Sequence, residues 1–235
     1  MNILAQFPTY KRPGNFLRTL SRYIEQSSGD HNIFFNINAD SEDVLTKQLV
    51  NDVARAASVY EHIDFAMNFN DNTDKISAVN GNIDVCGFDF DVVIVISDDM
   101  NPVKGKNWDV VIADNMEKYF PTTFGALHFP DGNRKDLITF SILGRRLYEH
   151  FGYIYHPDYK ALYCDDEFTE VVKEMGVYKF IDEQIVSHDH YAQEGNENSG
   201  IYDEAANRTI LNSGRDQVVY MERKKRGFPR QRITE

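Results

Sequence analysis

The chain has no long hydrophobic run. Its longest unbroken aliphatic stretch is Val92-Val93-Ile94-Val95-Ile96, five residues, where a membrane span needs roughly 18. Two cysteines, Cys86 and Cys164, are too few for a disulfide framework. Positive charge is also scarce. There are 25 Lys and Arg against 37 Asp and Glu, a net charge of −12, which argues against broad attraction to nucleic acid or anionic lipid. The first residues lack the basic segment and long apolar core of a secretory signal, so the expected location is cytoplasmic. No internal repeat or low-complexity segment is present. What remains is an ordinary soluble composition, 42% hydrophobic and 26% charged over 235 residues. That length suits one α/β core, or a core with a small appendage.

Strand and helix signals alternate through the first hundred residues. Residues 3–7 form a short apolar run, and Phe16, Leu17, Leu20, Tyr23 and Ile24 share one helical face. Residues 32–38 read as a second strand. Ser41 is expected to cap a helix that turns Val44, Leu45, Leu49, Val53 and Ala56 inward. A third strand over 62–67, a helix from about Asp74 and a fourth strand over 90–96 follow. This rhythm predicts an α/β fold with a mostly parallel sheet, right-handed crossovers and flanking helices. After residue 100 the pattern is mixed. Helices are predicted over 108–119, 145–151 and 167–175. Strands over 126–129 and 137–143 flank the turn Pro130-Asp131-Gly132-Asn133. One unit is expected over 1–190, its two halves meeting near residue 100, with an extension over 191–235. From residue 215 to 232 that extension carries seven Lys or Arg and two acids. It is either a solvated tail or a contact for an anionic partner.

The five-residue aliphatic run suits a central strand buried on both faces. Ser97-Asp98-Asp99 follows it at once, at the C-terminal strand end where open α/β sheets bind ligands. Adjacent carboxylates repel, and a divalent cation commonly offsets their charge. The pair therefore points to a metal and, through it, to a phosphorylated substrate. The first strand ends on the same edge in Phe7-Pro8-Thr9-Tyr10-Lys11-Arg12-Pro13. Two prolines fix this turn, which offers hydroxyls, a ring for stacking and positive charge. Taken alone it also reads as an ordinary strand–helix loop.

Strand, Pro-Thr-Tyr-Lys-Arg-Pro, helix resembles the opening of GT-A glycosyltransferases, above all the family 2 type. Ser97-Asp98-Asp99 resembles that fold's metal-binding DxD motif in its x-Asp-Asp form. The resemblance implies a GT-A, Rossmann-like architecture with a smaller mixed subregion on the acceptor side. The donor half would span about 1–100 and the acceptor half 101–190. It implies that Asp99 ligates Mn²⁺ or Mg²⁺ on a nucleotide-sugar diphosphate, while Asp98 contacts the sugar or ribose or helps the metal. Pro8, Thr9, Tyr10 and Arg12 would bind the donor. The family's second strand usually ends in Asp-Asp-Gly-Ser-x-Asp. Here the stretch is Asn38-Ala39-Asp40-Ser41-Glu42-Asp43, leaving Asn38 or Asp40 to meet the base edge. A UDP-sugar is the favoured donor. Lys75 and Asn80 lie where the family places a basic residue and an Asn near the donor; Lys75 also reads as an exposed helix lysine.

Two further clusters gain meaning beside that resemblance. Asp165-Asp166-Glu167 opens a predicted helix, where acids commonly cap and meet the helix dipole. The alternative is a general base, because an inverting transfer needs a carboxylate to take the acceptor hydroxyl's proton. GT-A enzymes commonly carry the base in such an acidic pair, which implies Asp165 first, then Asp166. In Ser187-His188-Asp189-His190 the two histidines fall on one face if extended. The family often adds a downstream His to the metal, which implies His188, with His190 the alternate. Imidazole favours Mn²⁺.

Trp108 and the loop over 102–106 are read as a cover for the donor. Cys164 is read as a buried structural thiol. Two rival functions share these residues. One is a metal-dependent phosphohydrolase on Asp98, Asp99, His188 and His190; the other is a non-catalytic nucleotide-sugar binding module. The short chain resembles compact phage and bacterial enzymes of the fold, which would place it in the bacterial or host cytoplasm. The favoured acceptor is a saccharide. A modified DNA base, reached through the basic stretch from Arg223 to Arg232, is the alternative.

Overall fold

A computed structural model describes residues 1–72, 74–189 and 203–228. The chain runs β1 (Asn2–Thr9), α1 (Pro13–Glu25), β2 (Asn32–Asp40), α2 (Val44–Lys47), α3 (Val50–Ala57), β3 (Ile63–Asn70), α4 (Lys75–Asn80), β4 (Val92–Val95) and β5 (Met100–Pro102). It continues through α5 (Trp108–Tyr119), β6 (Ala126–His128), β7 (Ile142–Gly144), α6 (Arg145–Phe151), α7 (Cys164–Glu174), β8 (Tyr178–Phe180), β9 (Val186–His188) and α8 (Glu204–Lys225). Among the described residues, seven strands form one sheet in the order β3-β2-β1-β4-β7-β6-β8, in which only β7 opposes its neighbours. The sheet is therefore mostly parallel, as its alternating pattern predicts. β5 and β9 pair separately and antiparallel.

Strand residues alternate between two cores. Ile3, Ala5 and Phe7 of β1, with Phe35, Ile37, Val92 and Ile94, bury against α1, α3 and α5 through Phe16, Leu20, Tyr23, Val53, Trp108, Ile112 and Met116. Leu4, Phe34, Val93 and Val95 point the other way, toward Ile76 and Val79 of α4, Leu147 of α6, and Phe168 and Val172 of α7. This two-residue alternation sets which side each helix covers. Trp108 is fully buried, its indole N–H on the Tyr23 carbonyl at 3.0 Å. It is a core residue and does not cover the donor side.

Two predicted elements differ. The helix expected behind Ser41 splits into α2 and α3. Asp43 caps α2 by accepting the Thr46 amide at 3.1 Å, while Ser41 bonds to Asp71. The shifted start rotates the face, so Val44 and Leu45 are exposed and Val53 and Ala57 are buried. The strand expected over 137–143 contracts to Ile142–Gly144. Its first half instead serves a loop pinned by Asp131, which accepts the Asn133 and Arg134 amides and the Thr139 hydroxyl. Among the described residues, no helix is long and apolar enough to cross a membrane.

Candidate active site

A cavity of about 210 Å³ opens at the C-terminal ends of β1, β2 and β4. Its wall includes Pro8, Thr9, Tyr10, Arg12, Asp40, Lys75, Asp98, Asp99, Asp165 and His188, all anticipated from sequence. Local geometry delivers each of them. Lys11 adopts the left-handed backbone (φ 54°) and its amide donates to Asp43 at 2.7 Å, which turns the chain between Tyr10 and Arg12. A non-glycine residue holds that conformation only where its surroundings enforce it. Asp98 and Asp99 leave the buried end of β4.

His188 arrives through strand pairing. β5 begins right after the acid pair, and its Met100 is in register with His188 of β9. The Asp189 amide donates to the Asp99 carbonyl at 2.8 Å. His188 Nε2 thus lies 3.6 Å from Asp99 Oδ2, and its Nδ1 lies 3.2 Å from Asp131 Oδ2. Burial opposes a charge on this imidazole, but the two carboxylates hold its pKa up at about 9. Burial pushes Asp99 upward, yet bonds from His188 and Ser97 hold it well below the carboxylate range. Asp98 moves the other way. Burial and the neighbouring Asp99 raise it, and Arg12, with Nη1 at 3.1 Å from Oδ1, offsets part of that.

Two neighbouring groups, Asp99 and His188, are of the types that could ligate a divalent cation. A carboxylate stands beside an imidazole whose other nitrogen is oriented by a second carboxylate, the usual support of a metal-bound histidine. Among the described residues no three His, Cys, Asp or Glu side chains converge into one cation-holding group. His190 lies outside the described residues. Lys75 is exposed at the rim and lowers Asp98, Asp99 and Asp165 alike by its charge.

Asp165, also in the cavity lining, opens α7 beside Cys164. Its Oδ1 accepts the Asp166 amide at 3.2 Å. Burial raises its pKa, which Lys75 partly offsets. Burial also pushes the Cys164 thiol well up, as befits an inert core residue.

The structure does not bring every anticipated residue to the cavity. Asn38 is fully buried in an amide network, in which Asn82 donates to its Oδ1 at 2.6 Å and Gln6 donates to the Gly81 carbonyl at 2.7 Å. Asn80 accepts the Ile154 and Tyr155 amides at 3.0 and 3.1 Å and joins α4 to that segment. Glu167 takes a bidentate ion pair from Arg223 at 2.7 and 2.8 Å and the Tyr159 hydroxyl at 2.7 Å. These three are bracing residues. Asp166 is absent from the cavity wall, half-buried, and pushed up by burial and by Asp165.

Over its described residues the C-terminal segment is a helix, α8, although Arg215, Lys224, Lys225 and Arg226 of the basic stretch are exposed. α8 lies along the cavity and supplies Ala205, Ala206, Arg208, Thr209 and Asn212 to its wall. Asp203 caps α8 and takes Arg12 in a bidentate pair at 2.6 and 2.7 Å. Asp216, fully buried, accepts the amides of Lys160, Ala161 and Leu162 at 2.7–3.2 Å. In the basic stretch, Arg223 is buried and Lys224 pairs with Glu170 at 2.6 Å, while Lys225 and Arg226 are exposed. Arg230 and Arg232 lie outside the described residues. Arg223 is thus no surface contact for DNA.

No family model and no curated protein sequence matches the chain. Solved structures do. The mannosyltransferase PcManGT from Pyrobaculum calidifontis, in complex with GDP-Man and Mn²⁺, superposes with a TM-score of 0.65 at 13% identity, over 96% of this chain and 64% of that one. S. aureus TarS gives 0.57 at 11% identity over 82% of this chain and 37% of that one. Its 1–349 fragment with UDP-GlcNAc gives 0.58 at 12% over 86% and 62%. The chain thus spans between about a third and two thirds of the length of these proteins. At such identities the likeness is one of fold, and that fold is GT-A-like.

Proposed function

We propose that the protein is a metal-dependent glycosyltransferase that moves a sugar from a nucleoside-diphosphate sugar to a hydroxyl acceptor with inversion. The observation that carries this reading is one cavity whose lining brings together Asp99, His188, Asp165, Arg12 and Lys75. Asp99 and His188 would hold Mn²⁺, or Mg²⁺, with Asp98 beside them. When bound, the cation neutralises charge on the diphosphate leaving group. Lys75 adds a mobile positive charge at the rim. Tyr10 and Asp40, at the ends of β1 and β2, face the nucleoside side. A UDP-sugar is the donor proposed, in keeping with the UDP-GlcNAc complex of TarS.

Asp165 takes the proton from the acceptor hydroxyl as that oxygen attacks the anomeric carbon. Its raised pKa gives a carboxylate of more than ordinary basicity. A saccharide is the acceptor proposed. The net charge of −12 and the internal use of Arg223 speak against DNA. The test is incubation with nucleotide sugars, Mn²⁺ and an acceptor panel. Nucleoside diphosphate release that depends on acceptor supports the reading. Phosphate release from simple esters without transfer would instead favour a hydrolase, and binding without turnover a binding module.

A further inference from the structure

Arg208 stands on α8, in the segment that sequence reading left without a role. Its guanidinium lies over the Tyr10 ring, 4.5 Å from the centroid. Nη1 donates to Asp40 Oδ2 at 2.7 Å, and Nη2 donates to the Asn72 carbonyl at 2.8 Å. A flat group on an aromatic face, with one N–H on a carboxylate and another on a carbonyl, satisfies the contacts a nucleobase would need there. We infer that Arg208 is an internal ligand of the nucleobase position, so that the donor's base must displace it from Tyr10 and Asp40. This inference rests on the donor site proposed above.

Two observations support displacement over simple wall-building. Lys11 Nζ already lies 5.2 Å from the same ring's centroid, so Tyr10 has two cations against it. The cavity, at about 210 Å³, is smaller than the roughly 300–1,000 Å³ of pockets that enclose drug-sized ligands. The wall contributed by α8 narrows it. α8 is anchored at its start through Asp203 on Arg12 and in its middle through Asp216 on the 160–162 amides, so the movement falls on the Arg208 side chain. Donor affinity is then lowered in proportion to the fraction of molecules in which Arg208 holds the position.

Calorimetric titration of UDP and GDP, with Mn²⁺ present, into the full chain and its Arg208→Ala and Arg208→Lys variants tests this. The Ala variant is expected to bind nucleoside diphosphate at least about tenfold tighter than wild type. The Lys variant keeps a cation but loses the flat group, so it should fall between them; if the Ala variant does not fold, tighter binding by Lys carries the test. Unchanged or weaker binding by the variants, with wild type binding normally, overturns the internal ligand and leaves the donor site standing. Absence of binding by all three overturns both.

Discussion

At the scale of single residues, the three acids that open α7 have different jobs. Asp165 faces the cavity, Asp166 is off its wall, and Glu167 is committed to Arg223 and Tyr159. Asp165→Asn should lower the transfer rate about 10²–10⁴-fold, the usual weight of a general base, with donor affinity kept. Glu167→Gln should leave the chemistry in place and lower the melting temperature. As the proposed base, Asp165 would also set a pH limb. A base must be ionised, and a raised pKa keeps its proton on to higher pH. The rate is therefore present at neutral pH and falls with acidification above the ordinary aspartate value of about 3.9. A kcat–pH profile reads this directly, and a midpoint at or below that value speaks against Asp165. The adjacent Asp-Asp-Glu could not be resolved from sequence, because helix phase decides which carboxylate meets the cavity. That phase is set by Tyr163, whose left-handed backbone (φ 63°) starts α7.

At the scale of elements, α8 is held by buried polar groups together with a small apolar contact from Val219 and Tyr220. Arg223→Ala would strand Glu167 in the interior, at a cost of about 3–5 kcal/mol, or roughly 6–20 °C of melting temperature for a chain of this size. Asp216→Ala would leave three loop amides without their acceptor, at about 1–3 kcal/mol for each amide left buried and unmet. It should also slow transfer, since those amides belong to the segment that leads into Asp165. Circular dichroism melts and initial rates on the two variants separate the effects. The helix escaped sequence reading because its inward side is largely polar, with Asp216 and Arg223 buried and only a few apolar residues beside them. Asp203, Arg208, Asp216 and Arg223 meet partners more than 50 residues away, and no local periodicity marks such pairs. β1, β2 and β4, by contrast, were legible from their apolar, aliphatic or aromatic, runs. His188 was legible only as a motif, because its partner Asp131 sits in a turn whose Pro-Asp-Gly sequence has a sufficient local explanation.

At the scale of the molecule, the sheet aligns the C-terminal ends of the adjacent strands β2, β1 and β4, and the β5–β9 ribbon returns His188 to them. The net charge of −12 speaks against broad electrostatic attraction to DNA. Titration of duplex DNA at low salt should show no binding that weakens with added salt. Metal, donor and base converge in one claim, that Asp99 anchors a cation needed for sugar transfer. The most direct test measures nucleoside diphosphate release from a panel of nucleotide sugars with acceptors, with and without Mn²⁺, for the wild type and Asp99→Ala. The account predicts acceptor-dependent release that needs Mn²⁺ or Mg²⁺, stops on chelation and disappears in a folded Asp99→Ala variant. Release that persists undiminished in that variant, or that ignores the chelator, would contradict it.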